Sequence, residues 1–147
     1  MPLDNKKSVV SIVKTNPQPE YDEIRHAVQQ SLDLIGGIRD IVKPNHLVLI
    51  NPSWVAPPVE RQAGCITIPE VTRAVAEIVK ASGARPVIAE SSAVGVNSEK
   101  VIQESGYRQL REMGYEVIDL KSLKTTVKMP VEKAKKRALE LMYKGYH

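Results

Sequence analysis

The sequence predicts an α/β fold, a three-layer α/β/α arrangement around a mostly parallel sheet of about four or five strands. Three observations carry this expectation. Short β-branched runs alternate with stretches whose apolar residues recur at helical spacing, the pattern of strand–helix–strand units. Gly and Pro fall at the junctions between them. The chain has no Phe and one Trp, so its core must be built from Val, Ile, Leu and Ala, which suits buried parallel strands.

The elements follow in order. Ser8–Lys14 (SVVSIVK) reads as a strand, and Pro17 and Pro19 end it. Tyr21, Ile24, Ala27, Val28, Ser31 and Ile35 share a helical face that stops at Gly36-Gly37. His46–Asn51 is a continuous apolar strand. Pro52, Pro57 and Pro58 then impose a loop to about Thr67. Val71, Ala74, Val75, Ile78 and Val79 define a second helix that Gly83 closes, and Pro86–Ser91 is the next strand. Residues 98–105 and 107–113 read as short helices split by Gly106. Tyr115–Leu120 is a further strand, with Asp119 capping the turn after it. Residues 125–130 read as an edge strand, and 132–144 as a basic helix with Ala134, Ala138 and Leu141 on its apolar side and Gly145 as its cap.

Length and composition bound the function classes. The 147 residues suit one domain, 1–147, large enough to bury a core without disulfides. One cysteine, Cys65, and the scattered His26, His46 and His147 give no metal-site spacing. No apolar run approaches the roughly 18 residues of a membrane span. Met1–Lys7 lacks the apolar stretch of a signal peptide, so a cytoplasmic protein is expected. Residues 121–147 hold eight basic and two acidic residues, a net of +6, against −2 for the first 120. Such a basic C-terminal segment can mark nucleic-acid binding, but no aromatic platform accompanies the lysines, and the solvated face of a terminal helix is the favoured reading.

Ligands of open parallel sheets bind outside the carboxyl ends of the strands. Two loops leave those ends. Residues 51–67 carry Asn51, Ser53, Trp54, Glu60, Arg61 and Cys65, and residues 91–98 carry Ser91, Ser92, Gly95, Asn97 and Ser98. With Thr67 and Glu90, the candidate ligand-binding residues are Asn51, Ser53, Trp54, Thr67, Glu90, Ser91 and Ser92. Each has a plainer reading beside the functional one. Thr67 and Glu70 fit a capping box for the helix that Pro69 opens, or else that helix end holds an anion. Glu90 acts as a base or holds a cation or hydroxyl, or else braces a turn. Trp54 stacks on a ligand, or covers a sheet edge or subunit contact. Cys65 has no histidine at a recognisable position and reads as an incidental thiol. The signatures of dinucleotide, nucleoside triphosphate, serine-hydrolase and zinc-protease sites are absent.

The segments VLINPSWV (48–55), ITIPEVTRAVAEIVKASGA (66–84), VIAESSAVG (87–95) and ESGYRQLREMGYEVIDL (104–120), with Ser8–Lys14 and LIGGIRDIVKP (34–44), resemble the domain of unknown function family 362. That family is often found beside ferredoxin-type iron–sulfur modules, so the resemblance implies an iron–sulfur protein as partner. The cluster cannot reside here, since Cys65 is a single thiol, and no cofactor is expected in this chain. The family's Lys-Pro-Asn is Asn51-Pro52-Ser53 here, its Thr-His-Pro is Thr67-Ile68-Pro69, and its Asp-Ser is Glu90-Ser91. The family domain continues past residue 147, so the resemblance implies a fragment, a shortened relative, or a protein that completes its sheet by oligomerising.

Two readings of function follow. In one, the domain binds a small molecule or anion at the carboxyl ends of the strands, through Ser53, Thr67, Glu90, Ser91 and Ser92. In the other, it is a non-catalytic self-associating or partner-binding module, a homo-oligomer with Trp54 exposed. Neither assigns a reaction.

Overall fold

A computed structural model describes residues 8–57 and 64–124, together with the strand backbone at 128–129 and 141–142. The chain is α/β, with a parallel sheet at its centre. In chain order the elements are α1 (Tyr21–Asp33), β1 (Leu47–Ile50), α2 (Pro69–Ala81), β2 (Arg85–Glu90), α3 (Ser98–Glu104), α4 (Tyr107–Glu112) and β3 (Val117–Asp119). A 3₁₀ turn at Leu120–Ser122 follows, then β4 (Lys128–Met129) and β5 (Leu141–Met142).

The parallel sheet has the order β1-β2-β3. Ile50 pairs with Ile88, and Ile88 with Val117, so one row crosses all three strands. Two successive right-handed crossovers in the same direction put their helices on the same face of a sheet. The Thr72 and Tyr107 hydroxyls, 2.7 Å apart, show α2 and α4 meeting there. The core between sheet and helices is Trp54, Ile88, Val101, Ile102, Tyr107, Leu110 and Val117, with Ile50, Ile66, Val96 and Tyr115 packed against it. Each aliphatic side chain so buried stabilises the fold by about 1.5–3 kcal/mol relative to exposure.

Local chemistry explains the boundaries. Asp22 and Glu23 sit in the first turn of α1, where the helix dipole favours negative charge. The Glu23 carboxylate also accepts the backbone N–H and side-chain amide of Asn16, at 2.7 and 2.9 Å. α2 starts at Pro69, whose missing N–H costs nothing at a helix start. It ends at Gly83 (φ +78°), where a Cβ would also stand 3.4 Å from that of Pro44. α3 is capped by Asn97, which accepts the Lys100 N–H at 3.1 Å. Gly106 (φ +88°) makes the break into α4, and a Cβ there would come within 3.3 Å of Pro69.

Four expectations are corrected. The parallel sheet has three strands among the described residues, not four or five. Ser8–Lys14 joins no ladder, because β-branched composition favours an extended chain but a strand needs a neighbour to bond. Residues 128–129 belong to a separate antiparallel pair with 141–142 rather than to an edge of the main sheet. That pairing places Leu141 and Met142 in a strand, not in a helix over 132–144. The other residues of that expected helix, and its cap Gly145, lie outside the described residues.

Candidate functional site

Adjacent parallel strands release their chains on the same side, so Asn51 leaves β1 beside Glu90 at the end of β2. The Asn51 side-chain amide donates to the Ala89 carbonyl at 2.9 Å and also to the Glu90 carboxylate. The Ser91 N–H donates to the other Glu90 oxygen at 2.8 Å. Glu90 is thus held by one donor on each oxygen, and each oxygen keeps acceptor capacity for a further partner.

An open cleft of about 380 Å³ lies over this pair, lined by Asn51, Ser53, Trp54, Val55, Glu90, Ser91 and Ala93. That volume suits a small molecule. Its two walls are joined where the Ala93 N–H donates to the Val55 carbonyl at 3.2 Å. Five of the seven expected residues therefore line one cleft: Asn51, Ser53, Trp54, Glu90 and Ser91.

The other two support it from behind. Thr67 is not a helix cap. Ile68 holds that place without a side-chain cap, because the helix opens at Pro69 and Thr67 stands one residue too early. The Thr67 hydroxyl instead accepts the Ser53 N–H at 3.1 Å, and the Thr67 N–H returns a bond to the Ser53 carbonyl at 3.0 Å. The two ends of the loop are pinned together here, with Trp54 bridged antiparallel to Ile66. Ser92 is buried within its own turn. Its hydroxyl donates to the Val96 carbonyl at 3.1 Å and lies 2.8 Å from that of Ser98.

Trp54 departs from the exposed position that the self-associating reading gives it. It is not an exposed contact, being 1% exposed in the core while bordering the cleft. Its ring meets Tyr107 edge-on, with centroids 5.0 Å apart and planes at 70°. The Tyr107 hydroxyl donates to the Thr67 carbonyl at 2.8 Å, so its only proton is used there and the Thr72 hydroxyl must be the donor between those two. Burial pushes the Tyr107 hydroxyl up to about 12, against the opposing effect of the Thr72 bond.

Lys121 was not singled out by its sequence, where it merges with the basic segment. Its ammonium donates to Ser92 Oγ at 3.1 Å and to the carbonyls of Ala93 and Val96 at 2.8 and 3.0 Å. All three protons are committed to bracing the 92–96 turn. The legible signal was its place two residues after Asp119, which accepts the Lys121 N–H at 2.9 Å as expected for the cap after β3. Cys65 is half-buried, its thiol 3.9 Å from the Ala56 carbonyl. Glu60 and Arg61 lie outside the described residues.

A larger cavity, about 670 Å³, lies at the opposite end of the sheet between α1, residues 36–44 and α2. Its charged groups are largely spent on the fold. Arg25 pairs with Glu77 at 3.0 Å, Gln29 donates to Asp33, and Lys43 donates to the Arg39 carbonyl. Among the described residues no group of three His, Cys, Asp or Glu could hold a metal ion, and no helix is long and apolar enough to cross a membrane.

Comparison with known proteins adds a family. Over 93 residues the chain is 35% identical to the "Thylakoid-associated protein sll1697" of Synechocystis sp. (strain ATCC 27184 / PCC 6803 / Kazusa). The match covers 62% of this chain and 28% of that protein, so the chain spans well under half the length of its relative. No solved structure gives a significant match. The family described as "Domain of unknown function (DUF362)" matches residues 48–143, well over half of the chain, and the protein belongs to that family.

Proposed function

We propose that this domain binds a small neutral or cationic polar molecule in the cleft between the carboxyl ends of β1 and β2. The carrying observation is the Glu90 carboxylate, fixed by Asn51 and the Ser91 N–H at the floor of that cleft. The exposed Ser53 and the half-buried Ser91 add hydroxyl groups that can donate or accept. Among the described residues no basic side chain lines the cleft, and the nearby Lys121 is turned onto the 92–96 carbonyls. An anion would meet the Glu90 charge uncompensated, so of the ligands expected from the sequence a neutral or cationic one fits better. The proposal is binding; no reaction is assigned. We place the protein in the cytoplasm, and the relative's name makes membrane fractionation the check on that placement.

Thermal-shift screening with polyols, amines, amino-acid-like zwitterions and simple anions tests the ligand class. Compounds that raise Tm in the wild type should bind about 10-fold or more weakly to Glu90→Gln, as expected for a lost hydrogen bond to a charged group of about 1.5–3 kcal/mol. Hits that are all simple anions, or hits indifferent to Glu90→Gln, would overturn the proposal.

A further inference from the structure

Ser8–Lys14 is the most exposed apolar run among the described residues. Val9, Val10 and Ile12 are 75%, 77% and 82% exposed. From Val10 to Lys14 exposure alternates residue by residue, with Ser11 and Val13 turned toward the body of the protein. This period of two is that of an extended strand lying with one face on a surface. The run is anchored where the Ser11 hydroxyl meets that of Ser31 on α1 at 2.8 Å, and where Asn16 is held by Glu23. Yet no residue from 8 to 15 makes a backbone hydrogen bond to the described residues. The segment has the shape of a strand and, among the described residues, no ladder partner.

We propose that two copies of this chain associate by antiparallel pairing of Ser8–Lys14 with itself. The sequence is self-complementary in that register. A two-fold axis at Ser11 sets Val9 opposite Val13 and Val10 opposite Ile12, and sends Ser8 against Lys14 at each end. Every cross-strand apolar position then meets another apolar position, the pairing that stabilises a sheet. Antiparallel pairing also holds the two Lys14 ammonium groups at opposite ends of the ribbon, whereas in-register parallel pairing would set them side by side. The segment carries no proline, so every N–H in it can serve a ladder. Seven residues a side bury less surface than a standard interface, so the dimer is a reversible equilibrium rather than an obligate one. This surface is independent of the cleft, and neither proposal rests on the other.

Sedimentation equilibrium of the full chain over a 100-fold concentration range tests it, with the double variant Val10→Lys/Ile12→Lys beside the wild type. Both side chains point into solvent, and an unchanged thermal melt verifies that the variant is folded. The expected result is a wild-type average mass rising from one chain toward two, and a dimer dissociation constant at least 10-fold higher in the variant. A wild type that stays monomeric throughout overturns the proposal. So does a dimer that the double variant leaves intact, which would move the contact elsewhere, the open outer edge of β1 being one such place. Oxidation of Ser11→Cys in a Cys65→Ser background supplies the register. Ready cross-linking of like copies supports pairing about Ser11, and cross-linking instead to copies carrying Leu49→Cys overturns it.

Discussion

Thr67 holds Ser53 at two points, accepting its N–H through the side-chain hydroxyl at 3.1 Å and donating a backbone N–H to its carbonyl at 3.0 Å. The thirteen-residue loop between them is thereby closed at the neck, and Ser53 is fixed at the lip of the cleft. The support continues inward, since the Thr67 carbonyl accepts the Tyr107 hydroxyl, which in turn accepts that of Thr72 on α2. One side of the cleft is therefore built on the helices rather than on the loop.

Removing the Thr67 hydroxyl should loosen this neck without unfolding the domain. Thr67→Val is expected to cost about 1 kcal/mol in urea denaturation. It should also speed hydrogen exchange at the Ser53 amide, while Thr67→Ser keeps both near wild type. Equal exchange in all three proteins would mean that the hydroxyl does not hold the loop.

Trp54 is the only tryptophan and lies in the core, so its fluorescence reports directly on this packing. Native emission should be blue-shifted and move to the red on unfolding. Trp54→Ala should destabilise by about 3–5 kcal/mol through lost burial and a residual cavity. A red, quencher-accessible native emission would contradict the buried placement.

Alkaline stability should depend on Tyr107. Its folded pKa is raised, so the folded state favours the neutral phenol. That contribution is complete below the ordinary value of 10.0 and is lost as pH rises toward about 12. Tyr107→Phe should flatten the fall in stability over that window by on the order of 2 kcal/mol, as read from denaturation curves at successive pH. An unchanged slope would mean that the phenol is not desolvated.

The acid limb should depend on Glu77. Burial would raise its carboxyl, but nearby Tyr21, Arg73 and Arg25 outweigh this and hold it below the ordinary 4.5. A lowered folded value gives stability that is present above the unfolded pKa and lost as pH falls through the folded one. Since Glu77 is a quarter exposed and Arg25 more than half, solvent screening keeps the effect modest, within about 1 kcal/mol. Glu77→Gln should reduce the loss of stability below pH 4.5, and an identical acid limb in the variant would contradict it.

The strand–helix alternation was legible because helical spacing and glycine stops act locally: α1 ends before Gly36-Gly37 and α2 before Gly83, as their residues imply. The cleft was legible because consecutive parallel strands must deliver their carboxyl ends together, which brings Asn51 to Glu90. What could not be read was long-range. Nothing near Ser8–Lys14 shows that it pairs with none of the described strands. Nothing near Trp54 shows that Tyr107, 53 positions later, will bury it. The pattern Thr67-Ile-Pro-Glu70 satisfies a capping box as well as it satisfies the observed bond to Ser53, and only the position of Ser53 decides between them.

Native mass spectrometry of freshly purified protein shows whether the cleft over Glu90 takes a small molecule, with Ser53→Trp as the blocked control. The expected result is a discrete added mass of a neutral or cationic compound on the wild type and its loss from Ser53→Trp. An added mass retained equally by the blocked variant, or none even after equilibration with the thermal-shift hits, would contradict it.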